Sequence, residues 1–505
     1  MWEVLSKTPL KFTVGADEIP AVVLKKLSLV LAEPLSIIYN RSLNDMEIPE
    51  IWKRSIVTPI HKKGPTECVE NYRPISISVQ CCKPMEKLLR VKMLEYCESR
   101  NLLSNCQHGF LSGRSTVTQL LEYTNTITGS LDTRLVVDAV YLDFSKAFDS
   151  VCHTKLLTVL YNFGFRNPLL GWIEAFLTNR NQVVKIRGQL SDPRSVVSGV
   201  PQGSVLGPLL FLLYVNDLAT TVRHSKVFMF ADDVKIVSYF RPELPDNRLQ
   251  EDLDRVSAWA DEKQLSLSIP KCSVIHFGRK NPLKKYSISG FELPSVFDIR
   301  DLGVIIDSEM KFTKHCNLVS SKASRLVACL FRCFLNRNQQ FLVKMFNTFA
   351  RPLLEYASPV WKPYLLQDIR VVERVQRSFT KRLLYQSQLT YEERLHTLNM
   401  EQLQLRHIKQ DLIMIYKILY GYVKFDFADL IELQPPTTLV TRSQSRGLKF
   451  KKSHLNSGLQ CRYYSYAMRI VDYWNHLSEN AVFCTSVKGF KEALNSEPLL
   501  ELLRT

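Results

Sequence analysis

The chain has 505 residues, 46% of them hydrophobic, and a formal net charge of +17. This length allows roughly three to four domains, the apolar share excludes wholesale disorder, and the basic surplus favours a polyanionic partner, nucleic acid before membrane. The longest apolar run, 205–215, contains Gly207 and Pro208 and is too short to span a bilayer, and the start Met1-Trp2-Glu3-Val4-Leu5 carries no secretory signal.

Apolar residues at helical spacing predict helices around 22–41, closed off by Pro49-Glu50-Ile51-Trp52-Lys53. Ile56-Val57-Thr58-Pro59-Ile60 reads as a short strand that runs into a basic turn, His61-Lys62-Lys63-Gly64. Asn71-Tyr72-Arg73-Pro74-Ile75-Ser76 opens a further segment, and 83–100 is a charged amphipathic helix. Between 134 and 300 strand and helix patterns alternate, which predicts an α+β sheet domain. Strands are expected at 135–142, 182–187, 272–277 and 299–307, and helices at 154–163, 205–218 and 251–264.

From about 313 to 420 the pattern is helical and basic, with Lys322, Arg325, Arg332, Lys344, Arg370, Arg374, Arg377, Lys381 and Arg382. This composition fits a surface that tracks a duplex backbone. Pro435-Pro436 mark a linker. A basic stretch, 442–452, an aromatic cluster, Tyr463-Tyr464-Ser465-Tyr466, and an amphipathic region with Trp474 follow. The aromatic and basic tail suits stacking on RNA. The 12 cysteines are scattered without a CxxC pair, so reduced thiols and no structural zinc are expected. His153 beside Cys152 is read as packing.

The chemistry concentrates in two places. Val227-Phe228-Met229-Phe230 and Val234-Lys235-Ile236-Val237 flank Ala231-Asp232-Asp233, a strand, tight turn and strand with adjacent carboxylates at the tip. Upstream, Val140-Tyr141-Leu142 leads into Asp143. Crowded acids repel unless cations neutralise them, and three carboxylates from two strands can hold two divalent ions for in-line phosphoryl transfer. Asp-Asp alone would more often be a polar turn; the surroundings reverse that reading. Phe148, five positions after Asp143, would exclude a 2′-hydroxyl if a nucleotide sugar met it, and without the flanking acids would read as an ordinary core Phe; Asp149 is read as a structural acid. Ser198-Gly199-Val200-Pro201-Gln202-Gly203 is a turn-rich loop that lets backbone approach a ligand. Lys62, Lys63 and Arg73 form a basic cluster suited to phosphate, and Lys271 is a candidate proton donor to pyrophosphate.

Tyr141 to Asp149, Ser198 to Phe211 and Phe230-Ala231-Asp232-Asp233, in this order and spacing, resemble the reverse transcriptase of non-LTR (LINE-type, Jockey-like) retrotransposons. Supporting matches are Trp52-Lys53, Pro59-Ile60-His61-Lys62-Lys63-Gly64, Asn71 to Ser76, Gln107-His108-Gly109-Phe110, Tyr214-Val215-Asn216-Asp217, Leu302-Gly303-Val304 and Tyr473-Trp474-Asn475. The resemblance covers roughly residues 10 to 490, and a joint match of this kind is far more specific than a lone motif.

It implies a right-hand polymerase divided as an N-terminal helical extension (1–52), fingers and palm (53–300), helical thumb (301–420) and a basic, aromatic C-terminal region (421–505). It implies RNA-templated DNA synthesis from dNTPs with two Mg²⁺ ions, Mn²⁺ being a possible substitute, on a DNA primer at nicked target DNA. Asp143, Asp232 and Asp233 are then the catalytic metal ligands and Phe148 the sugar gate. Arg73 and Lys62 bind triphosphate, Gln202 and Gly203 line the nucleotide site, and Lys271 matches the family's lysine. Here Ile269-Pro270 precedes Lys271 where Asn-Pro is common.

Nuclear action is expected from the family, after cytoplasmic synthesis, with Lys449-Phe450-Lys451-Lys452 a weak import candidate. The sequence carries no signal for oligomeric state. The chain is expected to lack the family's upstream endonuclease domain, as a truncated copy or shortened gene model would. Two alternatives stand beside polymerisation: a catalytically dead, RNA-binding remnant, and a maturase-like RNA-folding factor.

Overall fold

The computed structural model describes the chain apart from residues 63, 245, 335–337, 386–387, 426–430, 433–448, 452–457 and 501–505. Lys63, the Pro435-Pro436 linker, most of the basic stretch at 442–452, and Lys452 of the import candidate therefore lie outside the described residues.

Alternating apolar residues build two sheets. β1 (Arg54–His61) and β2 (Tyr72–Ile77) pair antiparallel, with Ile60 opposite Arg73. β3 (Val136–Leu142) belongs to the second sheet. β4 (Arg180–Ile186) lies parallel to β1 and pairs antiparallel with β5 (Gln189–Leu190) and β6 (Arg194–Val196), completing the first sheet.

The second sheet gains β7 (Lys226–Phe230), β8 (Asp233–Phe240) and β9 (Ser273–Phe277). A small hairpin, β10 (Ser287–Ile288) with β11 (Phe291–Glu292), precedes its edge strand β12 (Ser295–Val296). Its order is β12-β9-β3-β8-β7, and only the β12–β9 pair is parallel.

A last hairpin, β13 (Asp298–Asp301) and β14 (Val304–Asp307), replaces the single strand expected at 299–307. Leu302 and Gly303 both adopt positive φ, +43° and +93°, which is a two-residue hairpin turn. β13 (Asp298-Ile299-Arg300-Asp301) is mostly charged and β14 (Val304-Ile305-Ile306-Asp307) apolar, and Leu302 in the turn runs into β14 without a polar break, so the turn reads as strand. The helix expected at 205–218 is also shorter: it spans Gly207–Tyr214, and a separate turn of helix covers Leu218–Thr221. Asn216 lies in the break, where its side chain accepts from Ser104 N (2.8 Å) and donates to Leu102 O (3.0 Å).

The second sheet separates two cores, because successive side chains leave opposite faces. On one face Val140, Leu142, Val227, Met229, Val234 and Ile236 pack with the helices Gly207–Tyr214 and Arg248–Lys263. On the other, Val137, Ala139, Phe228 and Val237 pack with the Thr116–Asp132 helix and a helical half beginning at Thr313–Cys333. Trp474 and Phe490, near the C-terminus, belong to that second core together with Tyr416. Among the described residues no helix is long and apolar enough to cross a membrane.

Candidate active site

The register of β3 and β8 sets Leu142 opposite Val234. One step further along each strand brings Asp143 across from Asp233, and the period of two places both on the sheet face of Tyr141, Lys235 and Val237. β7 and β8 join with Phe230 opposite Asp233, so the turn is Ala231-Asp232. Ala231 takes φ +57°, a left-handed conformation that non-glycine residues adopt at a cost. The two acids thus project from a tight, strained tip beside the third.

Their electrostatics follow from that crowding. Loss of solvent, then the Asp143 carboxylate, raise the Asp232 carboxyl, while Arg73 and Lys62 pull it down. Asp233 is exposed. Desolvation by its surroundings, followed by Asp232, Asp301 and Asp143, pushes its carboxyl up to about 6. Lys271 Nζ stands 2.8 Å from Asp143 Oδ2. The chain reaches that position because Ser268 N donates to Asp143 O (2.7 Å) and Ser145 N to Ser266 O (2.8 Å).

Among the described residues no three His, Cys, Asp or Glu side chains stand in ready metal-binding geometry. The donor chemistry nevertheless fits a hard divalent cation. It is an all-carboxylate set whose mutual repulsion a cation would relieve, with an ammonium already drawn to one member.

The remaining predicted residues gather around this tip. Phe148 is half-buried and stacks on Phe211 (ring centres 4.3 Å apart, 18° between planes), with Phe110 edge-on at 6.3 Å. Asp149 accepts from Gln202 Nε2 at 2.8 Å, in keeping with a structural acid. Ser198 Oγ donates to Asp149 O (2.9 Å) and Val200 N to Phe148 O (2.8 Å), which ties the loop to the turn after β3. On its other side, Gln202 O accepts from Ser76 N of β2 at 2.7 Å. Gly203 has φ +118°, and a Cβ there would lie 2.4 Å from Ser76 O, so only glycine lets the loop approach β2 this closely. β2 in turn carries Arg73, which is exposed, as is Lys62. His153, read from the sequence as packing, is half-buried with its Nε2 2.8 Å from Gly199 O, a hydrogen bond that ties it to the loop.

Sequence reasoning missed a buried ion pair beneath the acids. Lys235, 1% exposed and two residues after Asp233, bonds Asp301 of β13 and Gln119 Oε1 (2.7 Å). Tyr141 Oη lies 3.3 Å from the same Asp301 carboxylate and 2.8 Å from Tyr123 Oη. The one available signal was a lysine inside an apolar run, at a position whose face the strand period assigns inward.

Residues 60–314, half of the chain and all of this site, match the family model described as reverse transcriptase (RNA-dependent DNA polymerase), and the chain belongs to that family. Its mixed α+β architecture is the right-hand polymerase fold of that family. Over 375 residues it is 29% identical to a probable RNA-directed DNA polymerase from transposon BS of Drosophila melanogaster, covering 71% of this chain and 41% of that protein. It is 27% identical over 378 residues to the corresponding protein of transposon X-element of the same fly (73% and 41% covered). To the RNA-directed DNA polymerase from mobile element jockey it is 27% identical over 370 residues (71% and 40%). The kinship is thus with the non-LTR, Jockey-like branch that the motifs resembled. The chain spans about two-fifths of the length of these relatives. A solved structure of apo telomerase from Candida tropicalis is similar at 11% identity and a TM-score of 0.37, covering 55% of this chain and 60% of that one.

Proposed function

We propose that this chain is an RNA-directed DNA polymerase of a non-LTR retrotransposon. It would extend a DNA primer on an RNA template with dNTPs, acting on target DNA in the nucleus. The observation that carries this reading is that Asp143 and Asp233 share a sheet face beside Asp232 in the turn, with the Asp232 and Asp233 carboxyls raised by desolvation and by neighbouring carboxylates. In this reading β3, β7, β8 and β9 form the palm, β1 and β2 the fingers, and the helices from Thr313 onward the thumb.

The three acids would hold two Mg²⁺ ions, or Mn²⁺, which when bound activate the primer 3′-hydroxyl and neutralise the departing pyrophosphate. The chain's own residues supply the rest. Arg73 offers a planar fork of donors to a triphosphate, and Lys62 adds a point charge beside it. The Phe148 ring, backed by Phe211, makes a wall against a 2′-hydroxyl. Gln202 and Gly203 join that wall to the fingers strand. Lys271 neutralises Asp143 and lies where it can pass a proton to pyrophosphate. Arg370, Arg374, Arg377 and Lys381 are exposed at i, i+4, i+7 and i+11 of the Leu366–Leu383 helix, a basic stripe suited to a duplex backbone.

Primer extension on an RNA template tests the reading. Synthesis by the wild type, and none by Asp232→Asn/Asp233→Asn, is the expected result. No synthesis by a folded, RNA-binding wild type would favour the dead remnant. Phe148→Val should admit ribonucleotides, narrowing dNTP over rNTP preference by roughly 10–100-fold. An unchanged preference would remove the gate from this account.

A further inference from the structure

We propose that Gln107 is a positioning residue for the carboxylate turn, its side-chain oxygen holding the Ala231 amide and thereby setting where Asp232 and Asp233 stand. The proposal rests on the reading of the three acids as ion-holding carboxylates.

The β7–β8 turn is not held by its own strands alone. Residues 106–109 run beside β7: Met229 N donates to Cys106 O (3.0 Å) and His108 N to Met229 O (2.9 Å). This places Gln107, 4% exposed, behind the tip. Its Oε1 accepts from Gly109 N at 2.7 Å and from Ala231 N at 2.9 Å, filling both lone pairs. Ala231 is the residue forced to φ +57°, and such strain persists only where surroundings over-determine it.

Gly109 makes the approach possible, since a Cβ there would lie 2.6 Å from Ala231 N. The segment that carries Gln107 is itself anchored. Arg114 donates to Gln107 O (2.7 Å), and the His108 ring lies 2.9 Å from Thr118 Oγ1 and 3.2 Å from Glu122 Oε2.

A residue wanted only for filling would be apolar here. Gln107 Nε2 is buried with no partner among the described residues, a penalty that leucine would avoid. The amide is thus accounted for by its oxygen, and the oxygen's task is the turn. Groups that orient metal-holding side chains commonly change metal affinity or activity by 10–100-fold when removed.

The experiment uses the full chain with Gln107→Leu, Gln107→Glu and Asp232→Asn. Mn²⁺ binding is read by electron paramagnetic resonance, beside steady-state dNTP kinetics and a thermal melt. Gln107→Leu should weaken Mn²⁺ binding and lower kcat, each by roughly tenfold or more, with the dNTP KM and the melt near wild type. Gln107→Glu keeps an oxygen that accepts both amides and should recover most of the loss.

A folded Gln107→Leu with wild-type Mn²⁺ affinity and kcat would overturn the proposal, as would a Gln107→Glu no better than the leucine variant. Should Gln107→Leu not fold, Gly109→Ala presses on the same Ala231 amide. The same loss of Mn²⁺ affinity is expected, and wild-type affinity would overturn the coupling. Mn²⁺ binding equal in wild type and Asp232→Asn would instead sink the reading of the site, and this inference with it. Binding lost in Asp232→Asn but untouched in Gln107→Leu sinks this inference alone.

Discussion

Two hairpins with two-residue turns are joined by a buried ion pair, Lys235 of β8 with Asp301 of β13, and their turns are restrained in different ways. In β13–β14 the turn is Leu302-Gly303, with glycine at φ +93° and the Tyr356 ring packed over it, Tyr356 Oη donating to Leu302 O at 2.8 Å. In β7–β8 the turn is Ala231-Asp232, with alanine left-handed, Asp232 half-buried and the following Asp233 exposed. Each turn holds one left-handed non-glycine residue, Leu302 at φ +43° and Ala231 at φ +57°; the β13–β14 turn follows its own with a glycine and takes an aromatic cover from Tyr356. A turn that carries chemistry keeps costly residues and borrows restraint from a distant segment, here Gln107 and Gly109. Lys235 and Asp301 join the two.

The largest expected effect falls on the acidic turn alone. Asp232→Asn/Asp233→Asn should lower primer extension by about 10⁴-fold, roughly 5.5 kcal/mol of lost charge stabilisation. The same change removes repulsion, so the metal-free variant should melt no lower than wild type. A variant that polymerises normally, or that loses its fold, would show that the β7–β8 turn is structural like its neighbour.

The link between the hairpins comes next. Lys235→Met would strand Asp301 without its buried partner, a loss of about 3–5 kcal/mol. It should appear as a lower apparent melting midpoint together with reduced activity. Lys235→Met/Asp301→Leu removes both charges and should regain most of the stability. If activity returns with it, the pair serves packing. If stability returns and activity does not, the charges themselves orient the acidic turn.

The contrast also explains which parts of the molecule were legible beforehand. The strands that carry Asp143 and Asp232-Asp233 were, because a half-buried sheet imposes a period of two. Lys271 pairs with Asp143, and Gln202 holds the Asp149 that follows Phe148. The β13–β14 turn was not, because Leu302 in the turn runs on into the apolar β14 with only Gly303 between. The Thr116–Asp132 helix was missed because Thr, Gln and Asn occupy so much of it; Thr118 and Gln119 are buried there through hydrogen bonds that no pattern announces. Lys235 could be seen as odd, but its partner lies 66 residues away and only the fold brings them together. The core shared by Tyr416, Trp474 and Phe490 likewise depends on long-range packing, which runs across the boundary expected near 420.

A smaller effect separates the turns by their backbones. Gly303→Ala forces an L-residue to φ +93° and sets a Cβ 3.0 Å from the Tyr356 ring, a cost of about 1–2 kcal/mol. Ala231→Gly relieves a left-handed alanine but frees the unfolded chain, so its stability should stay within about 0.5 kcal/mol of wild type. Its activity should fall more than its melt, because a looser tip holds the acids less well. Equal stability losses at the two positions would erase the distinction.

The smallest effect is the pH response of the acidic turn. The Asp233 carboxyl, ordinarily near 3.8, rises to about 6 in the folded protein, and Asp232 is displaced in the same direction. A raised folded-state value means stability that is fully present below about 4 and is lost as pH climbs through 6. Because Asp233 is exposed, solvent screening reduces this to about 1 kcal/mol. Metal-free protein should therefore melt slightly lower at pH 7.5 than at pH 5 on this account. Mg²⁺ should raise the midpoint at pH 7.5, where the acids are ionised, and do little at pH 5, where Asp233 is largely protonated. Asp232→Asn/Asp233→Asn should flatten both responses, whereas Gly303→Ala should preserve them. An equal Mg²⁺ gain at the two pH values, or one that survives loss of both acids, would place the ion elsewhere and leave the two turns electrostatically alike.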